Sequence, residues 1–349
     1  MGSSENIRWF ADITLNDRPS VGGKGGSLGE VTRAGITVPA GFVVCTPAFE
    51  RCLAALESQD PIRSRIEALD VQDLEGITAL SQGLRARIEG ASLPEDIRNE
   101  IIHAHAVLCG ENLHWPLAVR SSATTEDADD ASFAGLQDTY LWVKGAEPTL
   151  KNVLSCWASL YSVPSIAYRR QRRMPEGGVA IAVVVQRMVN ARTAGVMFTR
   201  SPLTGDRSVI TIEAAWGLGS AIVSGEVTPD RFVIAKITGE ITVREISDKH
   251  IQHVPAEGGG VKEVETPEEV RRTPSVSDSE LTALKEIARS VERHYGRPQD
   301  IEWAIDYSGQ IHLLQSRPET VWSARDYAPV ARPVENPLLH VMNIFGGRR

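Results

Sequence analysis

Leu117-Ala118-Val119 reads as the interior of a buried strand, and the chain leaves it at once for Arg120-Ser121-Ser122-Ala123-Thr124-Thr125-Glu126-Asp127. A strand of that kind needs a sheet around it, so its end presents hydroxyls and one guanidinium at the rim of a core. A guanidinium is a planar fork of donors that suits phosphate oxygens. The run continues Ser132-Phe133-Ala134-Gly135-Leu136-Gln137-Asp138-Thr139. Small hydroxyl residues with a glycine nearby let backbone N–H groups approach an anion closely. The same residues fit a Ser/Thr-rich turn with Arg120 in a surface ion pair, and a single motif leaves both readings open.

The chain's 349 residues suffice for two domains or one two-lobed enzyme. A net charge of −8 argues against wrapping nucleic acid, which needs a basic face. One arginine in a cleft can still hold a local anion. Cys45, Cys52, Cys109 and Cys156 are scattered without ligand spacing and read as reduced thiols filling a core. No apolar run approaches the roughly 20 residues of a membrane span, and Met1 to Arg8 lacks a signal-peptide core. The expected location is the cytoplasm, with no membrane partner.

Along the chain, Ile7 to Ile13 is strand-like and precedes Val21-Gly22-Gly23-Lys24-Gly25-Gly26-Ser27-Leu28-Gly29. Glycines around a lysine, with a helix expected from Ser27 to Ala34, make a ready phosphate site, although the Walker spacing is missing. A flexible turn with a solvated lysine is the alternative. Ile62 to Cys109 has helical spacing and no visible chemistry. Leu150 to Arg173 reads as one helix ending in a solvated basic cluster, Arg169, Arg170, Arg172 and Arg173. Val179 to Val185 is an apolar strand running into Gln186-Arg187-Met188-Val189, which resembles an adenine-binding hinge or is simply the end of a core strand. Strands are then expected over Thr193 to Phe198, Val209 to Ala214, Arg231 to Ala235, Gly239 to Ile246 and Gln310 to Gln315. Glu257 to Thr273 should loop out, and Ser279 to Tyr295 is an amphipathic helix.

The second chemically loaded stretch joins Pro298-Gln299-Asp300-Ile301-Glu302-Trp303-Ala304 to His312-Leu313-Leu314-Gln315-Ser316-Arg317-Pro318-Glu319-Thr320 through Ser308-Gly309. A hairpin would set Glu302 beside Gln315. A carboxylate with an amide oxygen suits Mg²⁺, a hard cation that takes few protein oxygens and completes its shell with phosphates and water. Arg317 would lie beside that metal. A surface hairpin with a Glu–Arg salt bridge is the plainer alternative.

The ordered motifs GGKGGSLGE, VPAGF, AVRSSATTED, SFAGLQDT, VQRMV, GVMFT, AWGLG, HYGRPQDIEWA and LLQSRPETV resemble the ATP-binding N-terminal domain of the phosphoenolpyruvate synthase and pyruvate, phosphate dikinase family, over residues 7 to 322. Rifampicin phosphotransferase shares this domain. The resemblance implies an α+β, ATP-grasp-like fold of two lobes clamping ATP and Mg²⁺: residues 1–185 with a helical region over about 60–110, then 186–322, then a tail at 323–349. It implies that Lys24 and Arg120 bind phosphate, that Gly135 and Thr139 belong to the glycine loop, and that Gln186 and Met188 lie on the adenine strand. It further implies that Glu302 and Gln315 bind metal and that Arg317, with Lys24 and Arg120, is catalytic. Arg200 departs from the family pattern, where a smaller residue precedes Ser201-Pro202, and leaves that loop's role open.

Family enzymes relay phosphate through a histidine on a swivelling domain to an acceptor held by a further domain. None of the eight histidines here sits in the Gly- and Thr-rich context of that motif. The expectation is therefore an ATP-binding subunit whose partner chain carries the phosphohistidine and the acceptor site. Phenylphosphate synthase divides the family's domains in this way, forming AMP and phosphate while a phenol is phosphorylated. The alternatives are the ATP lobe of a phosphoenolpyruvate synthase or rifampicin phosphotransferase-like enzyme, and a nucleotide-sensing module without turnover. The tail, with Leu338, Leu339, Val341, Ile344 and Phe345, reads as a docking segment or a disordered terminus.

Overall fold

Each strand that the apolar runs call for finds a partner in one of two principal sheets of the computed structural model, which describes residues 4–58, 60–124, 127–128, 131–132, 138–320 and 322. The first seven strands are β1 (Ile7–Trp9), β2 (Gly41–Val44), β3 (Leu117–Ala123), β4 (Asp127–Ala128), β5 (Ala131–Ser132), β6 (Thr139–Val143) and β7 (Ile181–Arg187). Five of them form an antiparallel sheet in the order β1-β2-β7-β3-β6, and β4 pairs with β5. β3 is buried at every position, because β7 and β6 flank it and helices cover it. Next come β8 (Ala191–Phe198), β9 (Val209–Trp216), β10 (Asp230–Ala235), β11 (Ile241–Glu245), β12 (Ile251–Pro255), β13 (Val261–Glu265), β14 (Gln299–Asp306) and β15 (Ile311–Pro318). The second sheet runs β11-β10-β9-β8-β14-β15, again antiparallel, and β12 and β13 form a separate hairpin. The class is α+β.

Among the described residues, ten α-helices accompany the sheets: α1 (Arg18–Arg33), α2 (Thr46–Glu57), α3 (Ile62–Glu67), α4 (Leu74–Glu89), α5 (Glu95–Cys109), α6 (Ala146–Ser159), α7 (Val163–Gln171), α8 (Ser220–Val223), α9 (Glu268–Arg271) and α10 (Asp278–Tyr295). The helical region expected over 60–110 is α3 to α5; Ile62, Ile66, Ile77, Leu84, Ile97 and Ile101 face the core of the first sheet. α10 starts at a capping box formed by Ser277 and Glu280 and stops at the left-handed Gly296. Its Leu281, Leu284, Ala288 and Val291 pack with Trp303 and Ile305 beneath the second sheet.

Helix α1 joins the two sheets. Val21 and Leu28 pack with Val43 and Val184 of the first, whereas Val31 is buried with residues of the second. Its backbone leaves helical geometry at Gly22 (φ 70°, ψ 179°). A Cβ there would stand 2.1 Å from the Ser122 carbonyl oxygen, so only glycine allows the approach. Ser122 Oγ then donates to the Val21 carbonyl (2.8 Å) and accepts from the Gly25 N–H (3.1 Å), fastening the glycine turn to β3.

Four expectations need correction. The helix expected from Ser27 resumes immediately after Gly22, because Gly23, Gly25 and Gly26 are buried within it and Lys24 belongs to its opening turn. The single helix expected from Leu150 to Arg173 is two, since Ser162 accepts from the Ser165 N–H and caps a new helix with Pro164 in its first turn. The basic cluster is not simply solvated: Arg169 is fully buried, paired with Glu176 (3.0 and 3.2 Å) and bonded to the Leu160 carbonyl and Ser165 Oγ. Glu257 to Thr273 does not loop out; it holds β13 and α9.

Candidate functional site

β14 and β15 pair so that Glu302 faces Gln315 and Asp300 faces Arg317, which places all four on one face of the hairpin. The register then slips. Trp303 faces Leu313, leaving Leu314 as an extra residue. Its carbonyl is taken up from the other sheet, where Arg120 on β3 donates from Nη1 to the Leu314 oxygen (2.9 Å). Nη2 of the same guanidinium donates to Gln315 Oε1 (2.5 Å) and Glu302 Oε2 (3.2 Å). Arg120 and Gln315 are buried, whereas the Glu302 side chain keeps 34% of its surface exposed. One guanidinium thus ties the two sheets together at a point still open on the carboxylate side.

Alternation along β3 puts Ser122, which fastens the Lys24 turn, on the same face of the sheet as Arg120. Lys24 is half-buried. Burial pushes the Cys156 thiol of α6 well up and the Lys24 charge opposes that rise, so the ammonium lies within electrostatic reach of α6. Thr139 is exposed and pairs directly with Arg120 across β3 and β6. Arg317 is 49% exposed, with Nε 3.4 Å from Asp300 Oδ2. Burial raises the Asp300 carboxyl to about 6, against the pull of Arg317. Gly135 lies outside the described residues, as does the tail from 323.

The residues expected on the adenine strand stand at the end of β7 and just beyond it. Gln186 is buried between Gly41 and Ala118, and its side-chain amide donates to the Pro39 carbonyl (3.2 Å). The Met188 N–H donates to the Pro116 carbonyl (2.9 Å). The Gln186 amide and the Met188 N–H are therefore engaged within the fold. Met188 packs on an apolar cluster drawn from both sheets, with Trp142 from β6 and Ala194 and Ala304 from β8 and β14, against which Leu314 of β15 also packs.

Several supporting residues escaped sequence reasoning. The Leu314 bulge leaves no compositional trace. The Gly22–Ser122 contact was foreshadowed only by the density of glycines. Arg200, the departure from the family pattern, is buried; its Nε donates to the Gly205 carbonyl (2.8 Å), and its guanidinium lies 3.8 Å from Glu319 and 5.8 Å from the Trp322 ring centroid. It braces the 201–206 loop against the segment that follows β15.

The oxygens of Glu302 and Gln315 are hard donors suited to Mg²⁺, and a guanidinium beside them suits a polyphosphate. The pyruvate phosphate dikinase AMP/ATP-binding domain matches residues 18–336. The chain belongs to that family. Among curated relatives of this dikinase domain, a probable phosphoenolpyruvate synthase of Methanocaldococcus jannaschii is 43% identical over 321 residues, 91% of this chain and 27% of the relative. A probable phosphoenolpyruvate synthase of Archaeoglobus fulgidus is 45% identical over 315 residues, 90% of this chain and 41% of the relative. A rifampicin phosphotransferase of a Streptomyces species is 41% identical over 310 residues, 88% and 35% of the two chains. The dikinase domain described here therefore spans less than half the length of these relatives. Solved ATP-grasp-type nucleotide-binding enzymes are distant by comparison: biotin carboxylase from Campylobacter jejuni shares 12% identity, with 83% of this chain and 38% of that chain covered at a TM-score of 0.28. Nothing about activity follows from a likeness of that size. Among the described residues no helix is long and apolar enough to cross a membrane.

Proposed function

We propose that this dikinase-family domain binds Mg²⁺-ATP between a first lobe, residues 1–185, and a second, residues 186–322, and delivers its β-phosphoryl group to a histidine carried outside the chain. One water is consumed in releasing the γ-phosphoryl group, so AMP and orthophosphate are the other products. The observation that carries the reading is the meeting of Arg120 from one sheet with Glu302 and Gln315 from the other. ATP would draw Arg120 from these acceptors onto phosphate oxygens, leaving Glu302 and Gln315 to hold Mg²⁺, whose charge offsets that of the phosphates. Lys24 in the opening turn of α1 and Arg317 at the rim supply further positive charge, Thr139 lines the phosphate side, and the Gln186–Met188 segment lies on the adenine side. No residue of the chain acts as a nucleophile; the site positions and neutralises.

The histidine and the acceptor site are assigned to a partner subunit, with a phenolic hydroxyl as acceptor. A second reading, transfer to pyruvate or rifampicin, is favoured by the names of the relatives. A sensing module without turnover is disfavoured, because a pure binder has no need of both a phosphate clamp and a metal pair. The test mixes the chain with candidate histidine-bearing partners, ATP labelled in the β- or γ-phosphate, and phenol, pyruvate or rifampicin. The reading expects label on histidine from the β position only, with AMP formed in step. Label from the γ position with ADP as product would overturn it.

A further inference from the structure

Apart from the Arg120 site, three groups with metal-ligand chemistry converge on the hairpin β12–β13. His253 on β12 and Glu263 on β13 are direct cross-strand partners, which sets their side chains on one face about 5 Å apart. Glu226, in the turn after α8, comes to the same point, with Oε2 2.9 Å from His253 Nε2. The ligand atoms of the three all lie within 4.8 Å of one another, and no other such trio occurs among the described residues.

Neighbouring groups hold these atoms in place. Ser220 Oγ lies 2.8 Å from His253 Nδ1. If Nδ1 carries the proton and Ser220 accepts it, Nε2 is left with its lone pair directed at Glu226, the arrangement that outer partners impose on metal-binding histidines. The His253 carbonyl accepts from the Leu218 N–H (2.9 Å), which locks the strand to the Trp216-Gly217-Leu218-Gly219 turn. Ser224 Oγ donates to Glu226 Oε2 (2.8 Å). His253 and Glu263 also line a cleft of about 570 Å³, together with Trp142, Ser220 and Gly258–Gly260. The cleft leaves room for water or another exogenous ligand.

We infer that Glu226, His253 and Glu263 form a binding site for a divalent transition-metal ion such as Zn²⁺. One imidazole and two carboxylates are a donor set that Zn²⁺ accepts, with a water in the fourth position. Ligand atoms of a tetrahedral Zn²⁺ site lie about 3.3 Å apart, as follows from bonds of about 2.0–2.2 Å. The trio reaches that spacing by side-chain rotation, since Glu226 and Glu263 are exposed. The ion would pin the α8 turn to a hairpin whose Gly260 N–H donates to the Trp142 carbonyl (3.2 Å). It would thereby stiffen the contact between the hairpin and β6 of the first sheet. The inference is independent of the nucleotide reading.

The test uses the untagged full chain, stripped with EDTA, without nucleotide and with excess Mg²⁺ present to occupy oxygen-only sites. Co²⁺ is titrated while its visible absorption is followed, and Zn²⁺ is then added as a competitor. The four cysteines are buried and contribute no thiolate absorption. One Co²⁺ per chain is expected, displaced by Zn²⁺, with affinity at least about tenfold weaker in His253→Gln and in Glu263→Gln. Zn²⁺ should raise the melting temperature of the wild type and not that of the variants. Glu226→Gln, at an exposed position, repeats the test in a variant with little reason to misfold. No saturable Co²⁺ signal, or wild-type affinity retained in all three variants, would overturn the inference.

Discussion

Arg120 is the side chain whose removal should cost the fold most at the site. Arg120→Ala strips donors from the Leu314 carbonyl and from Gln315 Oε1, both within the seam between the sheets. Each unsatisfied buried acceptor costs about 1–3 kcal/mol, and water entering from the Glu302 side should hold the total near about 2–4 kcal/mol. The Glu302 pair adds little, because at 3.2 Å and with a third of the carboxylate side chain exposed it is worth at most about 1 kcal/mol. Double-mutant cycles in urea separate these terms. Coupling between Arg120→Ala and Gln315→Ala should be about 1.5–3 kcal/mol, as for a hydrogen bond to a charged group. The same cycle with Glu302→Ala should stay below about 1 kcal/mol. Arg120→Lys should recover little, since one ammonium cannot span three fixed acceptors. Single-mutant effects that add to within about 0.5 kcal/mol, or a Glu302 coupling larger than that of Gln315, would refute this account of the seam.

Gly22→Ala should destabilise the chain by more than about 2 kcal/mol, since it combines a left-handed backbone with a Cβ placed against the Ser122 carbonyl; urea unfolding measures this, and a neutral result would contradict the docked turn. Glu176→Gln leaves the buried Arg169 charge without its counter-charge and should cost about 3–5 kcal/mol, seen as a lowered unfolding midpoint. Asp300 has a native pKa of about 6, raised above its unfolded value by burial. Its contribution to stability is therefore full below about pH 4 and is lost as pH rises through about 6. Asp300→Asn should flatten the stability profile across that window, and an unchanged slope would show that the carboxyl titrates normally.

Much of this was legible in the chain because the decisive signals are local. The Glu302–Gln315 pairing follows from two strands joined by a Ser-Gly turn, and the capped, amphipathic α10 follows from spacing alone. The features that went unread are those set by tertiary packing. Nothing in a four-glycine run says which glycine must take positive φ until the Ser122 carbonyl is seen against Gly22. Arg169 shares its stretch of sequence with the exposed Arg172 and Arg173, yet Glu176 and the Leu160 carbonyl draw it inside. The glycine-containing acidic stretch after Glu257 reads as a loop because the alternation in Val261–Glu265 is short, and only pairing with β12 makes it a strand. The Leu314 bulge belongs to the same class: its carbonyl meets Arg120 of the other sheet, a partner nearly two hundred residues away in the chain.

The proposed nucleotide site sets the phosphates and the metal where Arg120 meets Glu302 and Gln315. A crystal structure of the chain with a non-hydrolysable ATP analogue and Mn²⁺ in place of Mg²⁺, read by anomalous scattering, tests it most directly. One manganese peak is expected within about 2.2 Å of a Glu302 carboxylate oxygen and of Gln315 Oε1, with the phosphates within hydrogen-bond reach of Arg120 and Lys24. A nucleotide seated away from these side chains, or a manganese peak held by other residues, would contradict it.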